Sequence, residues 1–286
     1  MSNDAIFVRL FGGTGNQLFQ YATGRALADR LECTLVLDAR YVATSHDRGD
    51  CFSHFGHARF ERDRILPPAK TDRPLAYALW RGLGLSPRIF RERGLAYDLR
   101  LRDLHPGRYL HGYWQSERYF VLIEDRLRQD LAFTTPLDSA NRAMADHIAE
   151  ARNPVALHVR RGDYVAGSTY AAMTPDYYRA ALEHIAYNLG EDLTCFVFSN
   201  DPDWVRSTLD IGHPMTVVDI NDEATGHFDM HLQSICDHNV IANSTFSWWG
   251  AWLNANPDKM VVAPSRWFAD PGLANPDLVP QGWIRF

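Results

Sequence analysis

Short apolar runs alternate with helix-like stretches along the second half of the chain. The apolar runs predict strands at Val155–Val159, Thr194–Phe198, Thr216–Val218, Val240–Ala242 and Met260–Ala263. The stretches between them have helical periodicity and predict helices at Pro175–Leu189, Pro202–Leu209, His227–Asp237 and Phe246–Asn254. Strict alternation of strand and helix indicates a parallel sheet covered on both faces, which is the α/β class. Ligands of such sheets bind beyond the carboxyl ends of the strands.

The first half of the chain begins with a unit of the same kind. An apolar strand at Ile6–Phe11 runs into the glycine loop Gly12–Gly15, and a helical pattern then extends from residue 16 to residue 31. Prolines and arginines break the periodicity between residues 41 and 107, where we expect loops and short helices. The remaining predicted elements are strands at Thr34–Asp38 and Arg108–Tyr113 and a helix at Glu117–Gln129.

The length of the chain indicates two domains. Its 286 residues exceed the usual size of one domain, so we predict two α/β domains, residues 1–150 and 151–286. Hydrophobic residues make up 46% of the sequence, which allows each domain a sizeable core. The formal net charge of −6 gives the molecule no general attraction for nucleic acid, so an anionic ligand would need a local cationic cluster.

Cysteine usage and hydropathy suggest a compartment. The four cysteines are scattered without paired spacing, which fits a reducing environment: Cys33, Cys51, Cys195 and Cys236. The first ten residues lack the basic and apolar regions of a signal peptide, and no run approaches the roughly 18 apolar residues that span a bilayer. We therefore expect a cytoplasmic protein with at most peripheral membrane association.

Two adjacent arginines follow the first strand of the second half. Arg160 and Arg161 lie in the segment His158–Tyr164, where a buried strand opens into a loop at Gly162. A guanidinium at this position can bind a diphosphate through two hydrogen bonds and neutralise charge that grows on it. The alternative is that the arginine pair forms structural salt bridges.

The next two strands also end in polar residues. Asp201 precedes Pro202, where its carboxylate either caps a helix or accepts hydrogen bonds from the adjacent N–H donors of guanine. Asn243, Ser244, Thr245 and Phe246 stand between a strand and a helix, and a helix N-terminus with small hydroxyl residues favours an anion. Simple capping by Ser244 or Thr245 is the alternative.

The glycine loop after the first strand supports a rival function. Gly13 and Gly15 begin a dinucleotide-binding fingerprint, and Asp38 ends the next strand where a ribose-binding acid would stand. This pattern would indicate an NAD-dependent oxidoreductase. Leu18 occupies the place of the third glycine, however, and a bulky residue there obstructs the close helix packing that the fingerprint requires.

Two spacings resemble metal sites. Asp201 and Asp203 have the spacing of a motif that holds a divalent ion, but Pro202 between them indicates a helix start. His227 and His231 would share one helical face with His238 nearby, although no third ligand or glutamate base is evident. We expect neither a metal nor another cofactor.

The motifs taken together resemble the bacterial alpha-1,2-fucosyltransferase family, within the superfamily that includes alpha-1,6- and protein O-fucosyltransferases. The resemblance depends on four ordered segments: Gly12–Ala22, Gly112–Phe120, His158–Tyr164 and Asn243–Leu253. It implies a GT-B-like fold of two facing Rossmann-like domains, of which the first binds the acceptor and the second binds GDP-fucose. It also implies inversion at the anomeric carbon without a required metal.

The resemblance further implies roles for individual residues. Arg160 would bind the β-phosphate of the donor with Arg161 in support, and Asp201 would recognise guanine. His158 would lie near the nucleotide. Asn16, on the glycine loop, would face the reaction centre. The diphosphate would be lined by the segment that contains Asn243, Ser244, Thr245 and Phe246.

The chemistry of the bond that breaks suggests how such residues act. Departure of GDP places negative charge on the β-phosphate, so Arg160 would contact the transition state more strongly than the ground state. Asp163 is the candidate base for the acceptor hydroxyl, although it could instead orient Arg160 or the loop.

The expected partners are GDP-fucose and a glycan precursor that ends in galactose. The arginines between residues 81 and 102 could favour an acidic glycan or a lipid-linked acceptor, or form a solvated face. Fucosyl transfer with another linkage, the NAD-dependent oxidoreductase and a noncatalytic carbohydrate-binding module remain as alternatives.

Overall fold

The computed structural model describes residues 4–43, 51–62, 66, 68, 73–83, 88–161, 171, 173–190 and 192–286. The chain divides into two compact units, Met1–Ala132 and Phe133–Phe286. Each unit contains a parallel sheet with helices. Among the described residues no helix is both long enough and apolar enough to cross a bilayer.

The first unit is built on a sheet of parallel strands. Within the described residues its strand order is β2-β1-β4-β3. The strands are β1 (Ala5–Arg9), β2 (Thr34–Asp38), β3 (Ile89–Arg91) and β4 (Tyr109–His111). The helices are α1 (Thr14–Arg30), α2 (Arg40–Ala43), α3 (Pro74–Gly82) and α4 (Glu124–Asp130).

The second unit has a larger parallel sheet. Its strand order in the described residues is β10-β9-β8-β5-β6-β7. The strands are β5 (Pro154–Val159), β6 (Thr194–Ser199), β7 (Met215–Val218), β8 (His238–Val240), β9 (Val261–Ala263) and β10 (Ile284–Arg285). The helices are α5 (Ser139–Glu150), α6 (Pro175–Leu189), α7 (Pro202–Thr208), α8 (Gly226–Ser234) and α9 (Thr245–Leu253). The α/β class with parallel sheets is therefore confirmed, and two such units are what a GT-B-like fold requires.

The boundary between the units differs from the predicted one at residue 150. Helix α5 belongs to the second unit because Ile148 packs with Phe196 and Phe198 in a buried cluster on one face of the second sheet. The opposite face is covered by α6, whose Leu182 and Ile185 join a second apolar cluster. Burial of the apolar stripe of α5 thus assigns the whole helix to the sheet that follows it.

Several short elements differ from the sequence prediction. The predicted helix Glu117–Gln129 is divided into two turns of 3-10 helix followed by α4, with Phe120 at φ −140° and ψ 0° between the first two pieces. Ser116 caps the first piece, as expected, by accepting a hydrogen bond from the backbone N–H of Arg118. Strands β3 and β10 were not predicted, since strands of three and two residues carry little periodicity. Helix α5 was not predicted either.

Helix α1 approaches its sheet closely through a glycine that the dinucleotide fingerprint does not include. A Cβ on Gly24 would lie 2.5 Å from a methyl group of Val8 and 2.8 Å from one of Leu35. Leu18 is completely buried. The close helix packing that a third fingerprint glycine would permit is therefore achieved by Gly24, six residues later.

Candidate functional site

The strand order of the second sheet identifies where a ligand would bind. From β5 the chain proceeds to β6 and β7 on one side, whereas β8, β9 and β10 extend the sheet on the other side. The connections that leave β5 and β8 therefore run in opposite directions, which makes the carboxyl ends of these two strands the topological switch point, where ligands of such sheets bind. The sequence-predicted residues His158, Arg160 and Arg161 lie at the end of β5, and the segment 243–246 follows β8.

The two arginines have different surroundings. Arg160 is partly exposed directly after β5. The Nε of Arg161 lies 3.4 Å from Oδ2 of Asp201, and its guanidinium carbon is 3.9 Å from the ring centroid of Trp204. Asn200 fixes the backbone of Arg161 through two hydrogen bonds, of 2.9 and 3.1 Å. Arg161 is thus held by the next strand's loop, which fits a supporting role beside Arg160; Asp163 lies outside the described residues.

His158 is a buried neutral imidazole on β5. Burial, followed by the charge of Arg160, lowers its pKa to about 3. Its ring centroid is 5.9 Å from that of Phe246, which stands in the first turn of α9. Within the described part of the chain its buried Nδ1 has no hydrogen-bond partner. Such an atom carries a desolvation cost unless a ligand or water pairs with it.

The segment after β8 combines a buried amide with an open helix start. The amide nitrogen of Asn243 donates to the carbonyl oxygens of Ala171 and Trp267, both at 2.8 Å. Its Oδ1 is buried and has no partner among the described residues. Ser244 is the N-cap of α9, but its side chain makes no capping hydrogen bond. Thr245 and Phe246 are partly exposed beside it, so the first N–H groups of α9 are positioned for an anion.

Asp201 has a capping function in the structure. Its Oδ1 accepts a hydrogen bond of 3.2 Å from the backbone N–H of Trp204, at the start of α7. Its Oδ2 faces Arg161 and its side chain is 40% exposed, so this oxygen can also meet a ligand. The geometry is therefore compatible with both roles considered for Asp201, which are helix capping and recognition of guanine.

The structure offers no metal cluster in its described portion, where no three histidine, cysteine or acidic side chains are placed to bind one ion. His227 and His231 both stack on Phe133, at centroid distances of 6.0 and 4.6 Å. Asp203 pairs with Arg206 on the surface of α7. His227, His231 and Asp203 each therefore contact a neighbouring side chain of the protein.

The carboxyl edge of the first sheet carries a second group of polar residues. Asn16 is in the first turn of α1, and its Oδ1 accepts a hydrogen bond of 2.8 Å from Nε2 of Gln115. Gly12 has φ +79°, and a Cβ there would lie 2.7 Å from Nδ2 of Asn16. The glycine loop after β1 thus packs directly on the Asn16 amide, and the segment after β4 fixes its orientation.

Glu92 organises the same edge and was not predicted from the sequence. Its carboxylate accepts hydrogen bonds from the backbone N–H groups of Tyr113 (2.7 Å) and Trp114 (3.0 Å). Trp114 is fully buried with φ +58°, a left-handed conformation that costs a non-glycine residue free energy. Burial raises the pKa of Glu92 to about 7, against the lowering effect of these two hydrogen bonds.

His111 stands beside this turn at the end of β4. Its Nδ1 is 2.8 Å from a guanidinium nitrogen of Arg91, and burial together with Arg9 and Arg91 lowers its pKa to about 4. Phe11 packs on the rings of both His111 and Tyr113. The segment Gly112–Phe120 was a sequence signal for this region, but Glu92 stands in the unpatterned stretch where no motif marks it.

The structure gives little support to an NAD-dependent oxidoreductase or to a carbohydrate-binding module. The carboxylate of Asp38 accepts hydrogen bonds from Arg40 at 2.7 and 2.8 Å and from the Tyr109 hydroxyl at 2.7 Å, so it has no position open for a ribose. Trp248, Trp249 and Trp252 of α9 are buried against one another and form core. A carbohydrate-binding surface built on these tryptophans is therefore excluded.

Comparison with known proteins agrees with this geometry. The pattern of the glycosyl transferase family 11 (Glyco_transf_11) matches residues 96–286. An alpha-1,2-colitosyltransferase of Escherichia coli is 29% identical over 98% of this chain and 98% of its own length. The human galactoside alpha-(1,2)-fucosyltransferase 1 is 26% identical over 88% of this chain and 66% of its own length.

Among solved structures, a mutant of Arabidopsis thaliana FUT1 in complex with GDP aligns with a TM-score of 0.52 and 12% identity, over 91% of this chain and 70% of that one. This likeness concerns the fold. The match to residues 96–286 covers both the Glu92-bound turn and the whole second sheet with its arginines and the start of α9. The chain therefore belongs to glycosyl transferase family 11.

Proposed function

We propose that this glycosyltransferase moves L-fucose from GDP-fucose to the 2-hydroxyl of a galactose in a glycan. The observation that carries the proposal is the set of residues at the topological switch point between β5 and β8. At that sheet edge stand an arginine pair, a helix N-terminus whose N-cap side chain makes no capping hydrogen bond, and two buried polar atoms that have no partner among the residues that the structure describes. This combination suits a nucleoside diphosphate, which brings negative charge and hydrogen-bonding groups together. The names of the relatives, which include alpha-1,2-fucosyl and alpha-1,2-colitosyl transferases, support the sugar and the linkage.

Arg160 and the start of α9 supply the electrostatic part of the mechanism in this proposal. As the bond between the sugar and GDP breaks, the β-phosphate gains negative charge and the sugar gains oxocarbenium character. A guanidinium and aligned backbone N–H groups stabilise that charge more in the transition state than in the ground state, and so accelerate the reaction. The leaving diphosphate is then neutralised by protein groups, and no metal ion is required.

In this proposal the first unit binds the acceptor sugar. The hydrogen bond between Gln115 and Asn16 fixes the Asn16 amide, and Tyr113 is 39% exposed at the same sheet edge. An exposed aromatic ring next to oriented amides is suited to a sugar hydroxyl and its apolar face. Attack by the galactose hydroxyl on the face opposite GDP inverts the anomeric carbon. Asp163 remains the candidate base, and a late proton transfer needs only a weak one.

A colitosyl donor is the second candidate, because one full-length relative is named for that sugar. Colitose is L-fucose without the 3-hydroxyl. A pocket that binds this hydroxyl strongly prefers fucose, since the lost hydrogen bond leaves a buried protein group unpaired. A pocket without that contact accepts both donors.

The decisive experiment incubates the purified chain with GDP-fucose and lactose, with and without EDTA, and measures GDP release and product linkage. We expect 2′-fucosyllactose at equal rates in both samples. A matched reaction with GDP-colitose decides between the donors. Thermal stabilisation by GDP but not by NAD is expected as well, because a ligand that binds the native state raises the melting temperature. Absence of both GDP release and a GDP-induced thermal shift would reject the transferase proposal.

A further inference from the structure

Helix α3 carries an apolar stripe that the described parts of the chain do not cover. Leu75 and Leu79 are four residues apart and lie on one side of the helix. Leu83 directly follows the helix and continues its spacing, since its backbone N–H donates to the carbonyl oxygen of Leu79 at 2.9 Å. They are 85%, 65% and 67% exposed. Tyr77 and Trp80 are only partly exposed and lie within 6.0 Å of each other by ring centroids. The two aromatic side chains are thus less exposed than the three leucines.

The surrounding sequence is strongly basic. The stretch from residue 73 to residue 93 contains one acidic residue, Glu92, whose carboxyl group is occupied by the turn at Tyr113. The same stretch contains five arginines: Arg73, Arg81, Arg88, Arg91 and Arg93. Arg73 directly precedes α3 and is exposed, as is Arg93. The chain as a whole has a net charge of −6, so this concentration of positive charge is a local feature of the sequence around α3.

The size and charge of this surface favour one occupant over another. Three leucine side chains expose at most a few hundred Å² of apolar area, well below the roughly 800 Å² that each partner contributes to a stable protein interface. A second copy of the chain would also bring its own arginines against these. Insertion into a bilayer requires no minimum contact area, so even a short apolar stripe can be buried there. Anionic headgroups in addition attract arginines that lie next to the stripe.

We propose that α3 is a membrane-docking helix, which inserts Leu75, Leu79 and Leu83 into the headgroup region of an anionic bilayer while neighbouring arginines pair with lipid phosphates. The helix lies along the membrane surface and does not span the bilayer. Docking brings the first unit to the surface on which a lipid-linked glycan would be displayed. The proposal is independent of the donor sugar, because it concerns α3 and the lipid only.

Co-sedimentation of the full chain with vesicles tests the proposal. One set of vesicles is pure phosphatidylcholine and the other contains phosphatidylglycerol at about 30%. We expect binding to the anionic vesicles, weakening as salt rises, and little binding to the neutral ones. The variant Leu75→Ser, Leu79→Ser, Leu83→Ser should reduce the partition coefficient at least about tenfold. The variant Arg73→Gln, Arg93→Gln should reduce it by about tenfold on anionic vesicles alone.

The control is Leu122→Ser, Tyr187→Ser, which removes two side chains that are 97% and 87% exposed outside α3. It should bind as the wild type does. Melting temperatures and the GDP-induced thermal shift verify that each variant is folded. Unchanged sedimentation of the leucine variant would overturn the proposal. So would dimerisation by light scattering that the leucine variant abolishes while vesicle binding is absent, because α3 would then be a contact between copies of the chain.

Discussion

The carboxyl edges of the two sheets differ in how their polar side chains are hydrogen-bonded. At the edge of the first sheet, the polar groups bind one another: Gln115 holds Asn16, and Glu92 holds the backbone of Tyr113 and Trp114. At the edge of the second sheet, Nδ1 of His158 and Oδ1 of Asn243 are buried without partners in the described part of the chain. At the first edge the Asn16 amide and the Glu92 carboxylate are bound by protein groups, although the buried Nε1 of Trp114 has no partner among the described residues. The second edge retains unused hydrogen-bonding capacity beside positive charge.

This difference fits two kinds of ligand. A nucleoside diphosphate is charged and binds through many groups, so a site with open N–H donors and cations gains free energy only when the ligand arrives. A sugar acceptor is neutral and must be oriented, so a rigid edge limits the entropy lost on binding. Variants at the two edges should therefore fail in different ways.

The largest effect is expected at the second edge. Arg160→Ala should lower kcat with GDP-fucose by about 100- to 1000-fold, because it removes a group aimed at charge that grows in the transition state. It should also weaken the GDP-induced thermal shift. Arg179→Ala, at an exposed arginine paired with Asp176 on α6, is the matched control and should retain activity.

Gln115→Ala provides the complementary measurement at the first edge. It removes a hydrogen bond between two residues of the first unit, so the KM for the acceptor should rise while the GDP-induced thermal shift stays at the wild-type value. Steady-state kinetics with varied acceptor, together with GDP thermal shifts, check both halves of this expectation. A Gln115→Ala variant that lost GDP binding would contradict the division of roles between the edges.

A smaller effect on stability is expected from Gly112→Ala. The added Cβ would lie 2.5 Å from Cβ of Glu92 and 2.8 Å from a ring carbon of Trp114. Overpacking of this kind costs about 1 to 3 kcal/mol of unfolding free energy, measurable by urea denaturation. Gly13→Ala in the same unit is the control, since a Cβ there meets no atom within 4 Å and φ is −70°, and it should change stability by less than about 1 kcal/mol. Equal losses in the two variants would show that the turn around Glu92 is not tightly packed.

The same contrast explains what could be predicted from the sequence. From β5 to β9 the second sheet has strands of three to six residues that alternate with helices, so its periodicity indicated the fold class and placed Arg160 and Asn243 at one edge. The first edge depends on β3, which has three residues, and on contacts between Glu92 and a turn about twenty residues away. Contacts of that kind arise from tertiary packing and leave no local pattern. Helix α5 falls in the second unit for the same reason, because the residues on which it packs belong to the second sheet.

The smallest effect concerns the pH dependence of stability at Glu92. Its pKa is raised to about 7 by burial, above the ordinary value of 4.5, so the folded chain holds the proton more tightly than the unfolded chain does. The free energy of unfolding should therefore fall as pH rises from about 4.5 to about 7, and it should show no Glu92 contribution to the slope outside that window. Glu92→Gln cannot ionise and should remove this component, which we expect to be of order 1 kcal/mol because water reaches part of the carboxyl group.

Urea denaturation at pH 5 and pH 7.5 measures this difference between the wild type and Glu92→Gln. Glu183→Gln, at an exposed position on α6, is the control and should follow the wild type at both pH values. If the unfolding free energies of the wild type and Glu92→Gln differ by the same amount at both pH values, Glu92 is already ionised at pH 5. The two backbone N–H groups of the turn would then outweigh burial, and the first edge would itself be an anion-stabilising site.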